Sequence, residues 1–462
     1  MSSPAPTSFL AQLEAASNAV VNFVWGLPLA VMLMAAGLYF TLAGGAPLRR
    51  LGHAVGILRG KYDDPDDPGE ITHFQALSSA LSATIGMGNI AGVAIAVSQG
   101  GPGAVFWMWI AALFGTATKY FTCTLATMYR KPDEKGVDQG GPMFFIEVGL
   151  GPRFKALAIM FAVCGMVGCL PLFQINQLAE LMDESHQVPR LATGLASLVF
   201  VGAVTLGGIT RVGKVASRIV PSMALLYFGA ATVIVARNAA AVLPTLALIV
   251  RRAFTAGAVK GGAVAVAASE AMRIGVKRAA FSNEAGVGTA PLAHGAAKTK
   301  EPVREGLIAM LGPVIDTNIV CTLTALVILV TGVDASGNKG VEITARAFEY
   351  GIPGGVGRYL LMVAVLLFAL STMISYSYYS QKCAGYLFGE RIGRGYIYAY
   401  LASIPIAAMW STKLAVNVID TAFAFMAVPT VASALMLSPR VRAAARDYFA
   451  RMRAVDAKTP ER

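Results

Sequence analysis

Two apolar stretches of the sequence are interrupted by glycines and polar residues. The first reads SATIGMGNIAG over residues 82–92, and the second reads FSNEAGVGTAP over residues 281–291. An interrupted helix has free N–H groups at the start of one half and free carbonyl groups at the end of the other. The first kind of end suits a carboxylate, and the second suits a small cation. Residues of this type in this arrangement therefore predict a polar binding site.

Side chains beside the glycines strengthen that interpretation. Gly86 and Gly88 let a ligand approach the backbone closely, and Asn89 adds an amide group. Asn283 and Glu284 occupy the corresponding place in the second stretch. Glycine by itself is also typical of close helix packing in membranes. Polar side chains within an apolar segment usually serve a function, however, and these favour binding over packing.

A row of hydroxyl groups forms a third candidate, in FALSTMISYSYYSQKC over residues 368–383. Ser371 and Ser375 fall on one helical face, with Thr372 and Tyr376 beside them. Hydroxyl oxygens together with backbone carbonyls can bind a hard cation. Serine and threonine also bond to their own helix, so this stripe alone leaves both interpretations open.

A fourth candidate is the stretch LPLFQINQLAE over residues 170–180. It places Gln174, Asn176 and Gln177 in an otherwise apolar segment. These amides could face a substrate or bond to a neighbouring helix, and the spacing favours neither.

The elements that carry these residues are long apolar segments. Of the 462 residues, 56% are hydrophobic and 14% are charged, whereas soluble domains carry about a quarter charged residues. Segments of about 20 apolar residues are long enough to cross a bilayer as helices. The sequence thus predicts an all-α polytopic membrane protein with about eleven spans: 22–44, 76–98, 101–128, 154–182, 191–207, 215–236, 262–296, 303–332, 356–388, 395–411 and 414–437.

Apart from the first span, the spans divide into two sets of five, and each set begins with an interrupted span. An odd number of spans per set inverts the second set relative to the first, and paired interruptions of this kind indicate the binding site of a transporter. The predicted organisation has four parts: residues 1–75 with the extra helix, a first repeat at 76–240, a second repeat at 241–437 and a basic tail at 438–462.

The net charge of +12 resides mainly in loops between the spans. Loops on one side of the membrane, together with the tail, hold most of the lysines and arginines. The positive-inside rule makes that side cytoplasmic, with the N-terminus outside and the C-terminus inside. This distribution explains the charge without a nucleic-acid partner, and no obligate protein partner is evident. We expect the tail to lie on the anionic surface of the membrane.

Six motifs resemble the alanine or glycine:cation symporters, the sodium:alanine carriers of prokaryotes. They are SATIGMGNIAGVA, GGPGAVFWMWIAALFGTATKY, GGPMFFIEVGLG, FSNEAGVGTAPLAHGAAKT, DTNIVCTLTALVI and FALSTMISYSYYS. The resemblance covers about residues 22–440. It implies a LeuT-type fold, built from two inverted five-helix repeats and one additional N-terminal helix. It also implies Na⁺-coupled uptake of alanine or glycine across the prokaryotic inner membrane, with no organic cofactor.

The resemblance further implies which residues bind the two ligands. The substrate would be bound by the loop around the first break, by the wall opposite it and by two other helices: Ile85, Gly86, Met87, Gly88, Asn89, Gln174, Phe281, Ser282, Asn283, Thr372 and Tyr376. The sodium ion would lie between backbone carbonyls and hydroxyl groups: Ser82, Ile85, Ser371 and Thr372.

The chain departs from the family pattern at two of these places. Met87 stands where the family usually has threonine, and Ser375-Tyr376 stands where it usually has Gly-Trp. Both departures concern the predicted substrate pocket, so they leave the identity of the amino acid open.

Three other functions are alternatives to this one. Proton-coupled transport of a different small amino acid would need a titratable group in the cation site, and Ser371 and Thr372 offer none. An ion channel usually has repeated, symmetric filter loops rather than an asymmetric pair of breaks. An enzyme would need a nucleophile–base pair or a metal cluster at one depth, and the sequence indicates neither.

Overall fold

The computed structural model describes residues 9–44, 47–64, 66–134, 136–254, 263–333 and 340–456. These residues are mostly helical. The sheet within them is a hairpin of two short antiparallel strands, β1 (Lys131–Pro132) and β2 (Asp138–Gln139).

The helices of the first half are α1 (Phe9–Val24), α2 (Leu27–Ala43), α3 (Leu51–Leu58), α4 (His73–Thr84), α5 (Val93–Gly100), α6 (Gly103–Met128), α7 (Pro142–Phe144), α8 (Lys155–Gly168), α9 (Leu172–His186), α10 (Arg190–Thr205), α11 (Gly208–Arg237) and α12 (Ala239–Phe254). Single 3₁₀ turns lie at Pro47–Arg50 and Pro152–Phe154, and π-helical segments lie at Gly88–Gly92 and Phe145–Leu150.

The helices of the second half are α13 (Ala263–Asn283), α14 (Ala290–His294), α15 (Pro302–Ala309), α16 (Leu311–Pro313), α17 (Thr322–Val330), α18 (Val341–Gly351), α19 (Val356–Phe388), α20 (Glu390–Ala408) and α21 (Thr412–Asp456). A π-helical segment, Val314–Cys321, joins α16 to α17.

Most of the predicted spans can be recognised by length and apolarity. Five continuous helical segments of the described chain could cross a membrane: Pro152–His186, Gly208–Arg237, Pro302–Val330, Val356–Phe388 and Thr412–Ala454. Two bent pairs meet the same criterion together, α1 with α2 at 41° and α4 with the helix after its break at 50°. The other predicted spans correspond to α6, α10, α13 with α14, and α20.

The two interrupted helices run in opposite directions past each other. His73 begins α4 and His294 ends α14, yet both side chains contact the Glu305 carboxylate. At the other end, Gly100 of α5 lies against Ile274, which precedes the break in α13. The start of one interrupted helix therefore lies beside the end of the other, as inverted repeats require.

The structure corrects the sequence prediction at several elements. Helices α12 and α18 occupy stretches that the span prediction treated as loops, because a search for about 20 apolar residues does not detect short amphipathic helices. The first span is bent around Trp25 and Gly26 rather than continuous. The tail continues α21 to Asp456, so no break in the helix marks the predicted boundary at residue 438.

Candidate functional site

The first break separates α4 from α5 at the predicted position. Helix α4 ends at Thr84, and Ile85 has the non-helical angles φ −73° and ψ 87°. The Gly86 N–H donates to Oδ1 of Asn89 at 3.0 Å, and the Asn89 N–H donates to the Gly86 carbonyl at 3.1 Å. These two bonds stabilise a tight turn. The chain then continues as the π-helical segment, and the polar residues of the break lie in the interior of the protein.

The second break follows α13 and needs an unusual backbone. Glu284, Gly286 and Gly288 have positive φ angles of 55°, 87° and 101°. Asn283 stabilises this turn, because its Oδ1 accepts from the Ala285 N–H at 2.9 Å. The glycines are needed because β-carbons are strongly disfavoured in this conformation.

Asp316 connects the two breaks. Its carboxylate accepts hydrogen bonds from Nδ2 of Asn89 at 2.7 Å and from Oγ of Ser282 at 2.6 Å. The hydroxyl of Thr317 donates to the same carboxylate at 2.8 Å. Asp316 is fully buried and lies on the π-helical segment after α16. The structure thus places it between both interrupted helices.

The predicted cation ligands bring several buried oxygen atoms close together. The Thr372 hydroxyl donates to the Ser82 carbonyl at 3.0 Å, and the Ser371 hydroxyl lies 3.5 Å from that carbonyl. The Ser82 hydroxyl in turn donates to the Ser371 carbonyl at 2.8 Å. A carbonyl and hydroxyls from α4 and α19 thus meet at one place. Ile85, the fourth predicted ligand, is the next residue after α4 and is also buried.

The row of hydroxyl groups on α19 contacts both breaks. Ser371 and Thr372 face the first break, and Thr372 lies against Gly86. Tyr376, one turn further along, donates a hydrogen bond to the Glu284 carboxylate in the second break. Thr289 donates to the same carboxylate. Glu284 is therefore held by two hydroxyls.

Other predicted substrate residues have distinct surroundings. The Asn283 amide donates to the Thr317 hydroxyl at 3.0 Å, so its side chain stabilises the break. Met87 is fully buried at the start of the π-helical segment. A β-carbon on Gly88 would lie 3.3 Å from the Phe281 ring, which places Phe281 directly against the first break.

Gln174 is buried, and its Oε1 accepts no hydrogen bond from the described residues. Its neighbour Phe173 packs edge-on against Phe281, with ring centroids 4.9 Å apart. Phe281 in turn lies against Gly88 of the first break, so Gln174 is next in the chain to a residue of this aromatic pair. A buried acceptor without a donor is costly, so this atom is suited to a ligand that donates a hydrogen bond.

Charged clusters lie on either side of the breaks. On one side, Glu305 contacts His73 and, at 2.6 Å, Nδ1 of His294. On the other side, the Asp420 carboxylate contacts Arg278 and lies 3.1 Å from Nζ of Lys277. The Arg278 guanidinium lies 5.1 Å from the centre of the Phe281 ring. Both clusters join an interrupted helix to another helix of the protein.

A cavity of about 710 Å³ opens beside the start of α4, the β-hairpin, α8, α19 and α20. Its walls carry both signs of charge, and they include Glu70 and Lys382. Burial raises the pKa of Glu70, and the nearby Lys382 ammonium opposes that rise. The cavity therefore lies on the hairpin side of the molecule.

Known proteins resemble this chain in sequence and in fold. The sodium:alanine symporter family model matches residues 10–461. An uncharacterized transporter from Haemophilus influenzae is 40% identical over 451 residues, covering 96% of this chain and 97% of the relative. The sodium/alanine symporter AgcS from Methanococcus maripaludis is 40% identical over 431 residues, covering 91% and 94%.

The structure also resembles MhsT in complex with L-phenylalanine, with a TM-score of 0.56 and 11% sequence identity. The match covers 82% of this chain and 98% of that chain. At this identity the likeness concerns the fold alone. It confirms the LeuT-type fold, with two inverted five-helix repeats and one extra N-terminal helix. The family model and the two relatives extend over nearly the whole chain, and the chain therefore belongs to the sodium:alanine symporter family, whose members are membrane transporters and not enzymes.

Proposed function

We propose that the protein takes up a small neutral amino acid, alanine or glycine, together with Na⁺. One observation carries the proposal: Asp316 fixes Asn89 and Ser282 of the two interrupted helices beside the oxygen cluster of Ser82, Ser371 and Thr372. The name of the relative AgcS points to the same substrate and ion.

The amino acid would bind at the first break. The loop from Ile85 to Asn89 would hold its carboxylate through the N–H groups of Met87 and Gly88, because the start of a helix carries partial positive charge. The N–H groups of Ile85, Gly86 and Asn89 already donate within the protein. The unpartnered Oε1 of Gln174 is suited to its ammonium group. Thr372 approaches Gly86, and Phe281 approaches Gly88, so a hydroxyl and an aromatic ring would border the substrate. Ser282, Asn283 and Tyr376 would complete the walls.

The sodium ion would bind beside the substrate. The carbonyls of Ser82 and Ile85 and the hydroxyls of Ser371 and Thr372 are oxygen ligands of the kind that a hard cation prefers. Because the ion and the substrate share the first break, each would order backbone that the other needs. Binding of both would therefore be required before the helices close, which couples uptake to the sodium gradient.

Alternating access would involve the two charged clusters. Opening towards one side would separate His73 and His294 from Glu305, and opening towards the other would separate Arg278 from Asp420. In the present conformation both clusters are formed. The polar cavity beside Glu70 and Lys382 would be the exit on the cytoplasmic side.

The membrane would be the prokaryotic inner membrane, with the N-terminus outside and the C-terminus in the cytoplasm. The excess of lysine and arginine on the side of the β-hairpin and the tail supports this orientation.

Proton coupling is a second candidate, favoured by one observation. The oxygen cluster has no titratable group, but the buried carboxylates of Asp316 and Glu284 lie at the two breaks. A proton on either carboxylate could replace the sodium ion as the coupling charge.

Thermal unfolding of the purified protein tests substrate and ion together. Alanine or glycine should raise Tm in sodium buffer and have much less effect in potassium buffer at the same pH. A panel of larger and charged amino acids provides the control for substrate size. An equal shift in both buffers would contradict sodium coupling, and no shift with either small amino acid would contradict the proposed substrate.

A further inference from the structure

A crevice of about 260 Å³ lies where the last part of α21 crosses the ends of three other helices. Four arginines line it, one from the turn before α3 and three from α21: Arg50, Arg442, Arg446 and Arg453. No carboxylate lines the crevice in the described part of the chain. The site is separate from the two breaks.

The three arginines on α21 share one face of the helix, because they are spaced by four and seven residues. None of the four arginines forms an ion pair with a described residue. The Nε atoms of Arg446 and Arg453 only approach carbonyls of their own helix, at 3.4 Å and 3.3 Å. The guanidinium of Arg50 lies 3.9 Å from the centre of the Phe449 ring, which fixes its position at the wall.

Arg451 shows that pairing is available on this helix. Its guanidinium donates to the Glu301 carboxylate at 2.6 Å and 3.0 Å, and to Asp447 at 3.1 Å. Arg451 points away from the crevice and is fully compensated by carboxylates. The crevice arginines therefore differ from their neighbour in having an uncompensated positive charge.

The remaining walls are mostly apolar, with a hydroxyl on Tyr120, and three spanning helices contribute to them. Ala43 belongs to the end of α2, Phe121 to α6 and Leu307 to α15. A ligand that fits this crevice must combine a negative charge with an apolar body. A free anion would satisfy the arginines but not the walls, and a zwitterion would meet no carboxylate for its ammonium group.

We propose that the crevice binds the headgroup phosphate of an anionic phospholipid, with the acyl chains lying along α2 and α6. Basic pockets between transmembrane helices are suited to such headgroups. Arginine is also well suited to phosphate because its planar guanidinium can donate two parallel hydrogen bonds. The lipid would attach the end of α21 to the spanning helices α2, α6 and α15. The proposal does not depend on which amino acid or ion the protein transports.

The test measures binding of phosphatidylglycerol to the purified protein in an uncharged detergent. Arginine charges near a membrane surface contribute enough that loss of two should weaken apparent affinity about thirtyfold. The double variant Arg442→Gln/Arg446→Gln should show that loss. The control Arg211→Gln/Arg218→Gln removes two exposed positive charges on α11, outside the crevice, and should change the affinity less than about threefold.

A variant that fills the crevice distinguishes the effect of the crevice's shape on lipid binding from the effect of its charge. Ala445 lines the same crevice, so Ala445→Trp should fill it and weaken phosphatidylglycerol binding while the charge is unchanged. Phosphatidylcholine should bind weakly to every form. Equal losses in the two double variants would overturn the proposal, since binding would then follow surface charge alone. Inorganic phosphate that protects against unfolding as well as phosphatidylglycerol does would also overturn it, because a free anion would then suffice.

Discussion

One carboxylate, that of Asp316, accepts hydrogen bonds from side chains of both interrupted helices. Hydrogen bonds to a charged group contribute about 1.5–3 kcal/mol each. A movement of one break relative to the other must therefore break or exchange these bonds. Asp316 is positioned to transmit the occupancy of the first break, through Asn89, to the second break, through Ser282.

Replacement of this carboxylate tests its positioning role. Asp316→Asn keeps the shape but removes the charge and places a donor where the structure needs an acceptor. We expect transport to fall by at least about tenfold, because one lost charged hydrogen bond corresponds to that factor. The measurement is amino-acid uptake by reconstituted vesicles. The control Asp447→Asn makes the same exchange at an exposed carboxylate on α21, which pairs with Arg451.

Removal of the Thr372 hydroxyl tests the proposed sodium site. Thr372→Ala removes an oxygen that contacts the Ser82 carbonyl, and the half-saturating sodium concentration should rise on the order of tenfold. Uptake as a function of sodium concentration measures this shift. Ser377→Ala is the matched control, because this hydroxyl on the same helix bonds only to its own backbone at Ile374. Unchanged sodium activation in Thr372→Ala would remove Thr372 from the ion site.

Residue types alone revealed part of this site. Asn89, Asn283 and Glu284 could be recognised because polar side chains are rare in apolar segments. Their partners could not be recognised, since Asn89 and Asp316 are 227 positions apart in the chain. The choice between a hydroxyl that binds an ion and one that bonds its own helix also needs coordinates. Thr372 donates to the Ser82 carbonyl of another helix, whereas Ser377 donates to the Ile374 carbonyl of its own helix.

At the scale of elements, the second break depends on a backbone that glycine permits. Gly286 and Gly288 both have positive φ angles, and the turn is fixed by Asn283 and by the Thr430 hydroxyl on the Val287 carbonyl. The interruption is therefore a defined structure with its own hydrogen bonds, rather than a place where a helix ends for lack of propensity.

The substitution Gly288→Ala tests that requirement, because it adds a β-carbon. This β-carbon would lie 2.5 Å from Oγ1 of Thr430 and 2.7 Å from the Phe161 ring, at a φ angle of 101°. Gly288→Ala should destabilise the protein by about 1–3 kcal/mol and lower its Tm. Gly229→Ala in α11 is the control, because nothing lies within 4 Å of its β-carbon. That change should leave Tm equal or slightly higher, since alanine favours the helix. A Gly288→Ala protein as stable as the control would contradict the described break.

Elements differed in how well the sequence predicted them. Long apolar spans such as α19 were evident, because length and hydropathy define them. The amphipathic helices α12 and α18 were not, because only one face of each contacts the protein. The inverted pair of interrupted helices was predictable from the odd number of spans, five, in each set.

At the scale of the whole molecule, the orientation in the membrane can be measured directly. Tyr350 on α18 is 74% exposed and lies on the predicted outer side, and Arg391 on α20 is exposed on the predicted cytoplasmic side. In intact cells, a membrane-impermeant maleimide should label Tyr350→Cys and not Arg391→Cys. Permeabilised cells, in which both should react, provide the control. The reverse pattern would contradict the orientation.

The structure combines antiparallel interrupted helices, a bridge at Asp316 and charged clusters on either side of the breaks. We propose above all that a sodium gradient drives uptake. Vesicles containing the purified protein should accumulate alanine or glycine above the external concentration when sodium is high outside, and only equilibrate when potassium replaces sodium. Equal accumulation without a sodium gradient, or accumulation driven by a pH gradient alone, would contradict the account.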